Sequence, residues 1–272
     1  MPATWTFDAP AGVHLFPAAA VAGLLDVASA PLSAERLLRA IEPVVPVEHL
    51  ALVTFRHQTP ELIEGFSAHT RDRNVVAECF TIYRRSDYFR SDAVMRMADQ
   101  VAQRPAREVT VMHCRADELP VAGWRDDIYV RESLIERFTL LHAPARGAVQ
   151  AIHLYRDHRQ GLFQPHEIEQ LLALAPLLRQ AHHAALQAGA VAVDRQAQID
   201  QASRRLGRLA PSLSPRERAV CARIACGLSA DGIAADLDVA PSTVLTLRKR
   251  AYLKLADVGL PAHRLGLARL LA

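Results

Sequence analysis

Residues 213–255 read LSPRERAVCARIACGLSADGIAADLDVAPSTVLTLRKRAYLKL, and they carry the chemistry of several helix ends in close succession. Ser214 is an N-cap residue whose side chain can accept a hydrogen bond from the first turn, and Pro215 suits the first helical position. Glu217 stands three residues after Ser214, which is the spacing of a capping box, and Gly227 suits the left-handed backbone that ends a helix. The segment therefore predicts a short helix between Ser214 and Gly227.

Two more helices are predicted directly downstream. Ser229 can cap a second helix over Ala230–Leu237, and a third begins at Pro241 and continues to about Leu255. At about 100° per residue, the third helix has two different faces. Its packing face comprises Val244, Leu247, Ala251 and Leu255. Its opposite face comprises Ser242, Leu245, Thr246, Lys249, Arg250 and Leu253.

The opposite face of the third helix is suited to a DNA groove. Small and polar residues at its start allow a close approach, while Lys249 and Arg250 can reach phosphate oxygens or the O6 and N7 atoms of guanine. Two short helices joined by a tight turn, the second of them basic on its free face, place a helix in the major groove. The pattern predicts binding to double-stranded DNA. A helical domain with no DNA role is the alternative.

Positive charge is concentrated in this part of the chain. The whole sequence has a formal net charge of +3. From Arg208 to the end it contains ten basic and five acidic residues, so this part carries +5 and the preceding residues carry −2. A basic terminal block on a nearly neutral body favours a polyanionic partner, although a solvated helix face has the same composition.

The distribution of lysine excludes one class of regulator and argues against another. Lys249 and Lys254 are the only lysines in the sequence. A Walker-type phosphate loop needs a lysine after its glycines, so an ATP-driven regulator is excluded. A phosphorylated receiver domain carries a lysine beside its acidic pocket, and residues 1–207 contain none.

Cysteine and histidine spacing predicts neither a metal site nor a catalytic site. The four cysteines are Cys79, Cys114, Cys221 and Cys226, and they show no Cys-x-x-Cys spacing. Buried thiols are therefore expected, with no zinc site and no disulfide framework. The sequence contains no His-Glu-x-x-His and no Gly-x-Ser-x-Gly motif, so no catalytic residue and no cofactor are predicted. An enzymatic N-terminal domain is the rival hypothesis, which a turnover assay would test.

The remaining chain predicts an α+β domain and a cytoplasmic location. No apolar run is long enough to span a membrane, and the N-terminus lacks a basic lead-in to an apolar signal core. Helices are predicted at Ser33–Val44, at Asn74–Tyr83 and from Pro165 onward, with Pro176 as a kink. Strands are predicted at Val47–Arg56, Glu61–Ala68, Glu108–Cys114, Arg137–Ala143 and Gly147–Tyr155, the last two joined by a Pro144–Arg146 turn. This order predicts an α/β/α sandwich on a mostly antiparallel sheet.

A division into domains follows from length and composition. A chain of 272 residues exceeds the usual size of one domain. Residues 190–212 are rich in Ala, Gln and Arg, which is consistent with a partly helical linker or with a continuation of the preceding helix. We predict a sensing and dimerisation domain over residues 1–189, a linker over 190–212 and the DNA-binding domain over 213–272.

Five short motifs resemble the LuxR-type (GerE-type) helix-turn-helix family in order and spacing. They are LSPRER (213–218), CGLS (226–229), GIA (232–234), PSTV (241–244) and LKL (253–255). The resemblance covers residues 213–272 and implies a four-helix DNA-binding domain, with Ala262–Leu271 as a fourth helix that often forms a dimer contact. It implies a transcriptional regulator whose partners are double-stranded DNA, RNA polymerase and a second copy of itself.

The same resemblance assigns roles to residues of the third helix. Leu245, Thr246 and Lys249 would face base edges, with Thr243 and Arg250 near phosphates, and Ser242 belongs to the same face. Leu247 stands where the family usually has a histidine, so one expected polar contact is missing.

Two sensor families compete for the N-terminal domain. Tyr83, Tyr88 and Asp92 have the spacing that acyl-homoserine-lactone receptors use to hold their signal. Cys79, however, stands where those receptors have tryptophan, and Ala93 where they have proline. The quorum-sensing receptor is therefore the alternative interpretation.

The end of the domain resembles regulators with a GAF- or PAS-like sensor. The resemblance rests on GLFQ (161–164), the leucines that follow it, and the segment around Trp124. It implies a small-molecule ligand, for which Tyr83, Tyr88, Asp92 and Trp124 are the candidate contacts. The three aromatic residues could equally be core residues, and Asp92 could be a helix cap or could pair on the surface with Arg90 or Arg96. A ligand-independent regulator also remains open.

Overall fold

The computed structural model describes residues 2–8, 14–56, 59–69, 73, 75–145 and 148–271. The chain divides into two compact units, Met1–Gly189 and Ala190–Ala272, which are described separately below. Among the described residues, every helix is too short or too polar to cross a membrane.

The N-terminal unit is built on one six-stranded sheet. Its strands are β1 (Ala3–Phe7), β2 (His49–Arg56), β3 (Thr59–Ser67), β4 (Val109–Arg115), β5 (Leu134–Ala145) and β6 (Ala148–Asp157). They lie in the order β1-β4-β5-β6-β2-β3, and every pair is antiparallel. The predicted antiparallel sheet and the predicted pairing of its last two strands are confirmed.

Helices cover both faces of the sheet. They are α1 (Ala18–Ser29), α2 (Ala34–Ile41), α3 (Val75–Arg85), α4 (Ala93–Val101), the short α5 (Ala122–Trp124) that continues as a π-helical turn over Arg125–Val130, and α6 (Pro165–Leu209). Because side chains alternate along a strand, Leu50 and Leu52 of β2 pack with α2 and α6, whereas Ala51 and Val53 pack with α3 and α4. The predicted α/β/α sandwich is confirmed.

The structure differs from the predictions at several elements. β1, α1 and α4 were not predicted. β5 continues through Pro144 to Ala145, so the predicted turn begins too early, while Arg146 and Gly147 lie outside the described residues. Asn74, the predicted first residue of α3, also lies outside them. α6 continues to Leu209 with Pro176 inside it, so residues 190–209 are helical.

The C-terminal unit is helical. After the end of α6 it contains α7 (Pro215–Ala225), α8 (Ala230–Leu237), α9 (Pro241–Asp257) and α10 (Arg264–Leu271). A single apolar core joins them, centred on Val220, Ile233, Val244, Leu255 and Leu267. The four predicted helices of this part are confirmed, although the last begins at Arg264 rather than Ala262.

Candidate functional site

The start of α7 is fixed by the predicted capping box. The backbone N–H of Glu217 donates to the Ser214 hydroxyl at 3.3 Å, and the backbone N–H of Ser214 donates to Glu217 Oε2 at 2.8 Å. Lys254 of α9 donates to the same Oε2 at 2.8 Å and to the Ser212 carbonyl oxygen at 3.1 Å. Burial raises the pKa of Glu217, but Lys254 and Ser214 outweigh burial and lower it overall. Lys254 therefore has a structural partner that ties α9 to α7.

The cap gives a first prediction for stability. Replacing Ser214 with alanine removes the acceptor for the Glu217 amide, and we expect the free energy of unfolding to fall by about 1 kcal/mol. Urea unfolding followed by far-UV circular dichroism measures this change. Ser212→Ala is the matched control, because only the backbone oxygen of Ser212 is used. Equal stability of the two variants would contradict the role of the cap.

The turn between α8 and α9 sets the position of α9. Ser229 accepts a hydrogen bond from the Gly232 amide at 3.1 Å at the start of α8, and Asp238 ends that helix in the left-handed conformation with φ of 51°. Pro241 begins α9 at its first helical position. Arg223 of α7 pairs with Asp236 of α8 at 2.5 Å and joins the first two helices of the motif.

α9 has one packed face and one free face, as predicted. Val244, Ala251 and Leu255 are buried, and Leu247 is half-buried against the same core. The free face holds Ser242, Leu245, Thr246, Lys249 and Arg250, all exposed, together with the half-buried Thr243. Leu245 is 45% exposed and Leu253 is 61% exposed. A groove-contacting helix needs this separation of faces.

The free face carries positive charge that no carboxylate neutralises. In the described part of the chain, Lys249 and Arg250 form no ion pair. Arg248, which was not assigned to the site from the sequence, is also exposed and unpaired there. Three adjacent residues with full positive charge can meet phosphates on both sides of a groove. Arg248 was missed because helical periodicity assigned it to neither face of the third helix.

A narrow cavity lies within the N-terminal unit, between α3, one face of the sheet and the segment around Trp124. Its volume is about 60 Å³. Its wall is largely apolar and includes Ala51, Val53, Phe55, Val75, Val76, Phe80, Ile128 and Leu134. The polar members of the wall are His49, Cys79, Tyr83, Trp124, Tyr129, Arg137, His153 and Tyr155.

The four sequence-derived ligand residues divide into two pairs. Tyr83 and Trp124 line the cavity, with ring centroids 5.4 Å apart. Tyr88 does not line it. Its ring stacks on Trp124 at 6.3 Å, and its hydroxyl donates to Asp127 at 2.5 Å. Asp92 also lies outside the wall.

Asp92 forms a buried ion pair that sequence reasoning did not find. Arg137 donates to both carboxylate oxygens, at 2.8 and 2.9 Å, and Asp92 also caps α4 through the Val94 amide at 3.0 Å. The helix-cap interpretation is confirmed. The alternative of a surface pair with Arg90 or Arg96 is wrong, because Asp92 is buried and its partner comes from β5.

Charge in the cavity wall is confined to Arg137. Burial lowers the pKa of His153 to about 3 and also lowers that of His49, so both imidazoles are neutral. Burial raises the pKa of Cys79 to about 12, which keeps it a thiol. Burial lowers the pKa of Arg137, but Asp92 outweighs this and raises it overall. Among the described residues, no group of three His, Cys, Asp or Glu is arranged to hold a metal ion.

These features define a helix-turn-helix domain with a basic free helix, and comparison with known proteins identifies its family. Residues 211–257 match the GerE family, described as "Bacterial regulatory proteins, luxR family". Over 47 residues the chain is 62% identical to the "Probable transcriptional regulatory protein NarL" of Mycobacterium tuberculosis, a match that covers 17% of this chain and 22% of the relative. Residues 211–257 therefore form a luxR-family helix-turn-helix domain, as predicted.

Two solved structures are similar over longer stretches at low identity. The N-acylhomoserine lactone dependent LuxR-family factor CepR2 of Burkholderia cenocepacia is 17% identical and covers 64% of this chain and 99% of its own, with a TM-score of 0.47. SdiA of Escherichia coli is 16% identical and covers 92% of this chain and 94% of its own, with a TM-score of 0.41. These scores do not extend the family assignment beyond the C-terminal domain.

Proposed function

We propose that this protein is a transcriptional regulator that binds double-stranded DNA through α9 and responds to a small molecule through its N-terminal unit. The proposal rests on one observation: the family match and the exposed positive charge fall on the same helix. The helix that the luxR-family match would place in the major groove is also the helix whose exposed face bears the unpaired charges of Arg248, Lys249 and Arg250. The chain spans about a fifth of the length of its curated relatives, so the activity of the whole protein is inferred from this domain.

The position of each residue on the free face would decide whether it contacts a base edge or a phosphate. Leu245, Thr246 and Lys249 face base edges, and Thr243 and Arg250 contact phosphates on either side of the groove, while Ser242 lies on the same face. Thr246 donates its hydroxyl to the Ser242 carbonyl oxygen at 3.0 Å, which leaves its oxygen free to accept from a base amino group. Arg248 adds a phosphate contact at the same level of the helix.

The central test is a salt titration with random-sequence duplex DNA. Arg250→Ala is expected to weaken binding about three- to tenfold and to reduce the slope of log affinity against log salt by about 0.9, the value for one lost phosphate contact. Fluorescence anisotropy of labelled DNA measures both quantities. The matched control is Arg269→Ala, which removes an exposed positive charge from α10. Wild-type affinity and slope for Arg250→Ala would contradict the assignment of the free face.

A homodimer and RNA polymerase are the partners that the family implies for such a regulator. Two copies would bind half-sites about one helical turn apart, ~34 Å along the duplex. Light scattering over a concentration series tests the dimer, and a monomer at every concentration would contradict it. Because DNA is the partner, the protein would act in the cytoplasm.

The N-terminal cavity supports a sensing role rather than catalysis. Tyr83 and Trp124 are proposed as wall contacts for the ligand, Tyr88 as the support behind Trp124, and Asp92 as the residue that positions Arg137. An acyl-homoserine-lactone receptor is the second candidate, favoured by the spacing of Tyr83, Tyr88 and Asp92. Recovery of an unaltered small molecule from the purified protein would support sensing, whereas its turnover would support an enzyme.

A further inference from the structure

A basic pocket lies in the N-terminal unit, on the face of the sheet opposite the cavity described above. It is lined by Ala106, Arg107, His142, Pro144, Arg179 and His183, and its volume is about 180 Å³. These residues come from the segment before β4, from the end of β5 and from α6. Because side chains alternate along a strand, His142 shares the face of β5 that holds Phe138 and Leu140, which pack with α6. The basic pocket is therefore a separate site.

Hydrogen bonds between different segments hold the wall of the basic pocket in place. His142 is almost completely buried, and its Nε2 lies 2.9 Å from Nδ1 of His182 on α6. Burial lowers the pKa of His142, so this imidazole is neutral. One turn earlier on α6, Arg179 Nη1 donates to the Ala106 carbonyl oxygen at 3.2 Å. The end of β5 and the segment before β4 are thus both joined to α6 at this pocket.

Three side chains of the wall keep donors available for a ligand. Arg179 Nη2 and His183 Nε2 are accessible and have no hydrogen-bond partner among the described residues, whereas Arg179 Nε and His183 Nδ1 are fully buried. The Arg107 side chain is 75% exposed, and its Nε lies 3.5 Å from Asp8. An exposed pair of this kind contributes little, so the Arg107 guanidinium is free to turn toward a ligand.

The wall carries positive charge that its own residues do not neutralise. Arg107 and Arg179 are always protonated in proteins, and none of the six lining residues is acidic. Within the described ranges, the pair between Arg107 and Asp8 is the only ion pair that involves a lining residue. A concave surface lined by charge of one sign concentrates ions of the opposite sign. The ligand that suits this pocket is an anion.

We propose that the basic pocket binds a phosphate group, either as free inorganic phosphate or as the ester of a small metabolite. A phosphate group carries about two negative charges near neutral pH and has three acceptor oxygens that point in different directions. It can therefore accept from Arg107, Arg179 and His183 together, and arginine forks fit its geometry. A carboxylate has a single charge and two oxygens in one plane. The pocket would give the protein a second small-molecule site besides the sensing cavity.

Calorimetric titration of the full chain tests the class of ligand. The probes are inorganic phosphate, ribose 5-phosphate and acetate, at matched pH and ionic strength in a buffer without phosphate or sulfate. We expect at least one phosphate probe to bind about tenfold more tightly than acetate. The tighter of the two identifies the source, as the free ion or as an ester. Equal binding of phosphate and acetate, or no saturable binding of either phosphate probe below about 10 mM, would overturn the inference.

Two variants test the position of the site. Arg179→Gln removes the charge on α6 and is expected to weaken phosphate binding about tenfold. Arg179 also bonds to Ala106, so Arg107→Gln is the second variant, because its exposed side chain can be changed without risk to folding. It should weaken binding about fivefold. Arg269→Gln, on α10, is the matched control and should bind phosphate as the parent does.

The free face of α9 is the competing place for a phosphate ion. If either pocket variant is folded by circular dichroism and still binds phosphate as the parent does, the ion lies elsewhere and the inference is wrong. The DNA titration is independent of this result. Salt-dependent DNA binding without phosphate binding would remove the basic pocket and leave the proposed regulator, whereas phosphate binding without DNA binding would do the reverse.

Discussion

Replacing Arg137 with alanine is expected to lower the free energy of unfolding by about 3–5 kcal/mol, because the substitution leaves the Asp92 carboxylate buried without its counter-charge. Arg137 and Asp92 are 5% and 2% exposed, and two hydrogen bonds join them. Arg137 also lies over the Trp124 ring at 5.5 Å, so its loss removes a cation–π contact as well. Urea unfolding followed by far-UV circular dichroism measures the change.

Two control variants distinguish the buried charge from the mere loss of a side chain. The double variant Asp92→Asn with Arg137→Met removes both charges and is expected to recover most of the lost stability, since no unpaired charge remains. Arg90→Ala breaks an exposed pair with Asp87, at 3.3 Å, and should cost less than about 1 kcal/mol. A double variant as unstable as Arg137→Ala would show that packing, not charge, accounts for the loss.

Local chemistry made the C-terminal domain predictable. Ser214 and Ser229 cap helices in the structure as their positions in the sequence indicate, because a cap depends on residues only two or three positions away. The two faces of α9 followed from helical periodicity alone. Family resemblance then supplied the fourth helix and the roles of the residues on α9, which periodicity does not provide.

Elements without local signals were missed. α1 begins after Pro17 with no side-chain cap, and β1 is a five-residue edge strand whose partner, β4, is about a hundred residues away in the sequence. A short edge strand of this kind carries little pattern of its own, because its register depends on the neighbouring strand.

The sequence alone could not predict which residues meet at the cavity. Asp92 and Arg137 are 45 residues apart, so no spacing rule joins them. One signal was available in the sequence. In β5, Arg137 alternates with the core residues Phe138 and Leu140 and shares the other face with Leu141, so it falls on a covered face of the sheet. An arginine at such a position requires a buried acidic partner. Tyr129 gave no comparable signal, because it lies in a π-helical turn without regular periodicity.

Acidification from about pH 6.5 to about pH 5 is expected to destabilise the protein by roughly 2 kcal/mol for each buried neutral histidine. Burial lowers the pKa of His153 to about 3 and that of His182 to about 4, and burial together with the neighbouring His182 lowers that of His142. Unfolded histidine has a pKa of about 6.5, so between about pH 6.5 and pH 5 these residues bind protons in the unfolded chain but not in the folded chain. Stability is therefore complete above about pH 6.5 and is lost as the pH falls. Urea unfolding at a series of pH values measures the loss.

The groups around His142 lower its pKa further. His142 Nε2 lies 2.9 Å from His182 Nδ1, so two protonated rings would repel each other, and Arg179 and His183 also lower the pKa of His142. His153 has the opposing influences of Arg137, which lowers its pKa, and Asp92, which raises it, but burial dominates.

Substitution separates the histidine contribution from that of the carboxylates. Asp92 and Glu217 also have lowered pKa values, yet unfolded carboxyl groups titrate at about 4, so their contribution is lost mainly below about pH 5. His153→Gln should therefore remove about 2 kcal/mol of the loss between about pH 6.5 and pH 5. His158→Gln, at an exposed position, should leave the whole profile unchanged. An unaltered slope for His153→Gln would mean that this imidazole is protonated in the folded protein, and the cavity wall would then carry a second positive charge beside that of Arg137.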